Sequence, residues 1–288
     1  PARQGDGHIQ VGISVYQQSL DWLKQCIQSA QRQTIIELMI TVRTDGPEAC
    51  DQASLNWLRE SANHDPRIHL IESNERLGTF GSYKAIFDSA CTEFLCQLDG
   101  DDWLAEDALS IAKCALEGNK DAPFSYTDCT EVNADGVATG IGSRSMQPFC
   151  HQRMLVQFIT FHLRLIRRSS YAACGGYDET LLYTGDYDLS LKLCEEGRPI
   201  HIPKPLYFYR LHTSNTSSLR KKETISEAFT VAEKALIRRK QNHLFGLRLN
   251  PEACQVSLAP KLGPVVIAGM HRSGTSLLAL MLQALGLD

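Results

Sequence analysis

None of the ten cysteines in this chain stands in a C-x-x-C pair or an even ladder, so neither a structural zinc nor a disulfide framework is written here. Cys26, Cys91, Cys96 and Cys194 lie in apolar segments and read as buried free thiols of a reducing compartment. No apolar run is long enough to cross a bilayer: the longest, residues 265–287, is broken by His271, Arg272, Ser273 and Gly274. Basic residues are not in excess, with 29 Lys and Arg against 33 Asp and Glu. The formal net charge of -4 therefore gives no footprint for nucleic acid. Repeats and low-complexity tracts are also missing. The chain opens on Pro1 rather than Met, so the lack of a targeting segment carries little weight. The expected location is cytoplasmic, with peripheral membrane contact through the basic cluster near Arg238 as a weaker alternative to a solvated helix end.

What is present is enough for one large α/β domain and a piece of another: 288 residues, 43% hydrophobic. Strand and helix signals alternate over the first hundred residues. Residues 9–16, 35–42, 68–71 and 93–98 read as strands, with helices over 20–30, 53–62 and 82–91 between them. That alternation predicts a mostly parallel central sheet with flanking helices. Ligands of such sheets bind beyond the carboxyl ends of the strands. Three polar turns fall there: Thr44-Asp45-Gly46, residues 74–81, and Asp99-Gly100-Asp101-Asp102. Further on, 124–126 and 157–166 are expected as strands, 189–196 as a short helix and 203–210 as extended. A long helix with a basic end is expected over 224–241.

Carboxylates at positions i and i+2 of a turn, as at Asp99 and Asp101, can converge on one hard cation. Mg²⁺ or Mn²⁺ held there would neutralise a leaving diphosphate. The ordinary alternative is a helix-capping acidic loop before Glu106. The motif in its setting, FLCQLDGDDWL, resembles the acidic motif of inverting family 2 glycosyltransferases of the GT-A fold, especially those of the bacterial chondroitin polymerase type. VGISVY, TDGPEA, NERLGTFGSYKAI, GGYDETLLYTGDYDLSLKLCEEG and IPKPLYFYRLHTSNTSS resemble further motifs of that family in the same order. The resemblance covers roughly residues 8–245.

The resemblance implies a nucleotide-sugar donor, with a UDP-sugar favoured, and a glycan or glycolipid acceptor. Val15, Tyr16, Asp45, Gly78, Lys84, Asp99 and Gly100 fall on the donor side. Asp45 is placed to accept from the nucleotide base, and Lys84 either faces the diphosphate or lies on a solvated helix face. Asp101, His212 and Asp99 are the expected metal ligands, with Asp102 supporting them. Asp186 is the expected base toward the acceptor hydroxyl. Gly175, Gly176 and Asp188 lie on the acceptor side, though Asp188 also reads as a capping or solvent-facing residue. Trp103, Tyr183 and Tyr187 flank the acidic positions and can stack on a sugar or simply pack. The sequence departs from the family pattern where Gly185 replaces the usual acid before Asp186, Pro47 a usual serine, and Tyr83-Lys84 a usual Arg-Asn.

The last segment reads differently. VVIAGMHRSGTSLLALMLQALGL is a strand, a loop and a helix, with Gly269, Arg272, Ser273, Gly274, Thr275 and Ser276 forming part of a phosphate loop. Thr275 stands where the usual lysine would be. The stretch resembles the start of a sulfotransferase. The expected organisation is therefore a glycosyltransferase domain over 1–249, a linker over 250–264, and the truncated start of a P-loop domain over 265–288. Two alternatives to a transferase remain: a degenerate glycan-binding module, and a P-loop sulfotransferase whose activity lies outside this chain.

Overall fold

The computed structural model describes residues 8–213 and 219–261. The expected phosphate loop, Gly269 and Arg272 to Ser276, lies outside the described residues, as does the whole of 265–288.

Strand β1 (Ile9–Val15) is buried at every position and sits between β2 (Leu38–Thr44) and β4 (Phe94–Gln97), parallel to both; β3 (Ile68–Glu72) adds parallel to β2. A strand covered on both faces reads as a continuous apolar run, and Ile9, Val11, Ile13 and Val15 supply it. The crossovers are helices. In α1 (Leu20–Gln31), the Ser19 hydroxyl accepts the Trp22 N–H, and Leu23, Cys26, Ile27 and Ala30 turn inward at helical spacing. Asp51 caps α2 (Gln52–His64) through the Ser54 N–H at 2.7 Å.

Helix α3 (Gly78–Asp88) begins four residues before the expected start. Its opening N–H groups are satisfied from a distance: Asp45, after β2, accepts from Leu77 and Gly78. Gly78, at φ +75°, makes the turn that allows this.

The second half corrects the expectation of a mostly parallel sheet. Beyond β5 (Trp103–Leu104) and α4 (Ala108–Glu117) come β6 (Phe124–Val132), β7 (Ala138–Ile141) and β8 (Arg164–Arg167). Helices α5 (Arg168–Ala173) and α6 (Gly185–Glu196), β9 (Ile200–Arg210) and α7 (Lys221–Arg238) follow. The nine-stranded sheet runs β3-β2-β1-β4-β8-β6-β9-β5, with β7 on β6. Four of its pairings are antiparallel: β4 with β8, β8 with β6, β6 with β7, and β9 with β5. The sheet is mixed because β8 returns against β4 without a crossover helix on that edge.

Two other boundaries move for identifiable reasons. The strand expected over 157–166 shrinks to β8 because the carbonyls of Thr160 and Phe161 are taken by the Arg164 guanidinium rather than by a neighbouring strand. The expected linker over 250–264 carries half of a hairpin, β10 (Phe245–Asn250) with β11 (Gln255–Pro260), whose Phe245 and Val256 are buried.

The core has two parts, on opposite faces of the sheet. Neighbours in one strand separate between them: Cys96 and Leu165 pack with α1 and α4, Leu95 and Ile166 with α3, α6 and α7. All ten cysteines are free thiols; Cys26, Cys96 and Cys194 are buried, and Cys91 is exposed. Arg238 is engaged with Glu195 at 2.9 Å and Arg239 with the His151 carbonyl at 3.0 Å, so the basic helix end is committed within the fold. Among the described residues no helix is long and apolar enough to cross a membrane.

Candidate active site

The acidic turn follows β4 at the carboxyl edge of the parallel strands. Gly100 leaves room for a close approach: a Cβ would stand 3.1 Å from the Gln18 side chain and 3.3 Å from the Ser14 carbonyl. The three carboxylates then part company. Asp102 is buried and faces inward, accepting the Arg210 N–H at 2.7 Å and the Tyr207 hydroxyl at 2.8 Å, which fastens the turn to β9. Burial, then Asp101 and Asp99, push its carboxyl well above the ordinary range. Asp101 meets His212 Nε2 at 2.8 Å. Asp99 Oδ1 accepts the Tyr83 hydroxyl at 2.8 Å and the Gln97 amide at 2.9 Å, and Oδ2 lies 3.7 Å from His162 Nε2. Burial, then Asp101, raise Asp99 to about 6.

Asp101 and His212 are thus brought together, but Asp99 is held apart by its own partners. Among the described residues no group of three or more His, Cys, Asp or Glu side chains closes around a common point, so the three expected ligands are not gathered here into one centre. The donor chemistry still suits a divalent ion: one carboxylate and one imidazole meet at a rim where substrate oxygens can complete the shell.

Across the sheet edge, Asp186 sits in the first turn of α6. Its Oδ1 accepts the Tyr187 N–H at 2.8 Å, and Oδ2 lies 3.7 Å from Arg164. Burial raises its carboxyl, with Arg164 pulling the other way. Gly185 beside it has no room for a side chain: a Cβ would come within 2.4 Å of the root of the Phe80 ring. Phe80 stacks on Tyr177 and occupies the place of the missing acid.

Several expected positions lie elsewhere in the chemistry. Asp45 is buried and already accepts from Arg43, Leu77, Gly78 and Ser82, so it braces the α3 turn instead of presenting a free acceptor to a base. Val15 is a core side chain whose carbonyl accepts the Asp45 N–H. Tyr16 lies under the Arg76 guanidinium at 4.1 Å. Lys84 pairs with Asp88 on the outer face of α3, and its neighbour Tyr83 reaches the acidic turn in its stead. Asp188 neither caps nor faces solvent. It is buried, paired with Lys192 at 2.8 Å. Gly175 and Gly176, at φ +82° and +65°, form the turn that delivers Tyr177, whose hydroxyl donates to Gln97. Tyr187 is core, donating to the Met154 carbonyl at 2.5 Å, and Trp103 stacks on Phe208. Tyr183 does face an open groove of about 470 Å³ along α7.

Sequence reasoning missed Tyr83, Gln97, His162 and Arg164. His162 stacks on Tyr207 at 4.6 Å and is held neutral, its pKa lowered by burial and by Arg164 and Arg144. A polar residue inside an apolar strand, as Gln97 is, was the one available signal.

The model of the family described as Glycosyl transferase family 2 matches residues 10–175. The chain is 30% identical over 199 residues to a chondroitin synthase of Escherichia coli, covering 68% of this chain and 28% of that protein. It is 27% identical over 222 residues to a chondroitin synthase of Pasteurella multocida, covering 76% and 22%. The chain therefore spans less than a third of the length of these relatives. Among solved structures, S. aureus TarS in complex with UDP-GlcNAc superposes with a TM-score of 0.64 at 14% identity, over 80% of this chain and 66% of that one. The mannosyltransferase PcManGT of Pyrobaculum calidifontis, in complex with GDP-Man and Mn²⁺, gives 0.58 at 15% identity, over 86% and 79%. At such identities the superpositions establish a shared GT-A-like α/β fold. With the family match over more than half its length, the chain belongs to glycosyl transferase family 2.

Proposed function

We propose that this chain transfers a sugar from a nucleotide-sugar donor, a UDP-sugar by preference, to a hydroxyl of a glycan or glycolipid acceptor, with inversion at the anomeric carbon. The observation that supports this is the run of contacts that links the acidic turn to Asp186: His212 on Asp101, Gln97 on Asp99, and Arg164 between Gln97 and Asp186. The chondroitin synthase relatives and the UDP-GlcNAc and GDP-Man complexes of the structural neighbours support the same substrate class.

Asp101 and His212, with Asp99 close by, would hold Mn²⁺ or Mg²⁺. Such an ion supplies positive charge to the leaving diphosphate. Asp99 and Tyr83 border the donor. Asp186 accepts the proton of the acceptor hydroxyl as that oxygen forms its bond to the anomeric carbon. The bond from that carbon to the diphosphate oxygen breaks with its electron pair, and the product linkage is β when the donor is α-linked. A carboxyl raised by burial is the better proton acceptor near neutral pH, provided it remains ionised.

The test is calorimetric titration with UDP, GDP, CDP and dTDP, each with Mn²⁺ and with EDTA. Metal-dependent binding of one nucleotide, lost in Asp101→Ala, supports the reading. A folded protein that binds none of them, yet retains affinity for chondroitin or hyaluronan oligosaccharides, is a glycan-binding module instead.

A further inference from the structure

The Arg164 side chain has 1% exposure and carries its charge into the interior of the fold. Burying a guanidinium in that way is unfavourable unless an anion and hydrogen-bond acceptors meet it. One nitrogen, Nη1, is satisfied by the carbonyls of Thr160 and Phe161. A second, Nη2, lies 3.3 Å from the Gln97 carbonyl oxygen and 3.7 Å from Asp186 Oδ2, and the third, Nε, is buried with no hydrogen-bond partner. Gln97 is buried as well. Its oxygen receives Arg164 and the Tyr177 hydroxyl, and its NH₂ donates to Asp99 at 2.9 Å. An amide suits this place because it can accept from a cation on one side and donate to a carboxylate on the other. The result is one polar chain, buried at Gln97 and Arg164 and partly exposed at its two ends, Asp99 and Asp186.

We propose that Arg164 is a positioning residue for Asp186, held in place by Gln97, so that the proton acceptor and the acidic turn are fixed by the same polar chain. This rests on the reading of Asp186 as the base. The groups that face Asp186 are Arg164 from β8, Arg144 from the segment after β7, Tyr177 and Asp99 across the site, and the Tyr187 N–H on its own helix. Arg164 opposes the effect of burial more than any other side chain there. Its charge favours the ionised carboxylate against the rise that burial imposes, and it stands beside Oδ2 while the Tyr187 N–H holds Oδ1.

The experiment is a pH titration of metal-free protein labelled with ¹³C at aspartate carboxyls, the Asp186 signal being the one absent from Asp186→Asn. In Arg164→Met, and in Arg164→Gln, which keeps donors for the two carbonyls, the Asp186 midpoint is expected to rise by about one unit or more. Arg164→Lys is expected to bring most of it back. In the unaltered protein the Arg164 guanidinium signals should move with the Asp186 midpoint. An unmoved midpoint in either folded charge-removing variant, or guanidinium signals blind to the titration, overturns the proposal. Sugar transfer by Asp186→Asn judges the base separately. If that variant is dead while the midpoint is unmoved, the base stands and Arg164 loses its role. If that variant is active, the base falls and the proposal falls with it.

Discussion

Asp99, Asp102 and Asp186 are carboxylates whose ionised forms the folded chain disfavours, since burial raises all three. A group raised in the folded state adds stability below its unfolded pKa and loses it as pH climbs through the folded value. For Asp99 that window runs from the ordinary 3.8 to about 6. Asp65 and Asp178 are shifted downward, so their loss falls below the window, but His162 and His151, held neutral by burial, lose stability as pH falls through 6.5 and oppose the Asp99 term in the same window. Asp99 is therefore expected to contribute a rise in the melting temperature of the metal-free protein from pH 7.5 to pH 5, set against the histidines' fall, of roughly 2–4 °C for each kcal/mol recovered. Asp99→Asn should flatten that rise, as scanning calorimetry at the two pH values would reveal. Turnover runs the other way: as the proposed base, Asp186 has to be ionised to accept a proton, so kcat/KM should fall on the acid side. Asp186→Asn should lower kcat by about 10²–10⁴-fold while donor affinity by calorimetry is unchanged. The acidic turn was legible because its four residues are adjacent in the chain. His162 and Arg164 were not, because they reach the site from more than sixty residues away, and Tyr83 and Gln97 were not because only the folded turn shows which way their side chains face. Lys84 shows the same limit from the other side, since a one-residue step around α3 exchanges an ion pair with Asp88 for a hydrogen bond to Asp99.

Elements were legible where one local signal governs them. The β1–β4 alternation follows from apolar strands and amphipathic helices, and Ser19 and Asp51 announce the helices they cap. Elements whose ends are satisfied from elsewhere were misjudged, as α3 was by Asp45 and β8 by Arg164. The loop before α6 is another such case. Glu227 of α7 accepts the N–H groups of Leu182, Tyr183 and Thr184 and the Thr184 hydroxyl, all at 2.8–2.9 Å. Three backbone donors on one carboxylate fix the approach to Asp186 more firmly than any contact within the loop. Glu227→Ala should leave metal-dependent donor binding intact and raise the KM for acceptor by about tenfold, the size of effect expected from losing roughly 1–3 kcal/mol of loop order. Equal weakening of donor binding in titration calorimetry would show that the carboxylate acts on the whole edge instead.

At the scale of the whole molecule, the mixed sheet places the donor-side turns on its parallel half, while Arg164 reaches Asp186 from an antiparallel strand. The sequence could not show this, because strand direction depends on which partner a segment finds. The hairpin of β10 and β11 belongs to the same body, since Phe245 joins the core that α7 closes. Removal of residues 245–261 should therefore lower the melting temperature and loosen α7, seen as faster amide exchange over Val231, Ala232, Ala235 and Leu236. A true linker would leave both unchanged.

The contact between Phe80 and Gly185 bears on how the site can evolve. A mutation placing an acid at position 185 meets the ring, with overpacking of about 1–3 kcal/mol. Shrinking Phe80 first opens a void beside Tyr177, at about 3–5 kcal/mol for Phe→Ala. Neither first step is neutral, although the two together are compatible. The pair therefore acts as a ratchet: a lineage that has acquired it is held to a helix start without an acid immediately before Asp186. New acceptor preferences must then arise by change elsewhere on the rim.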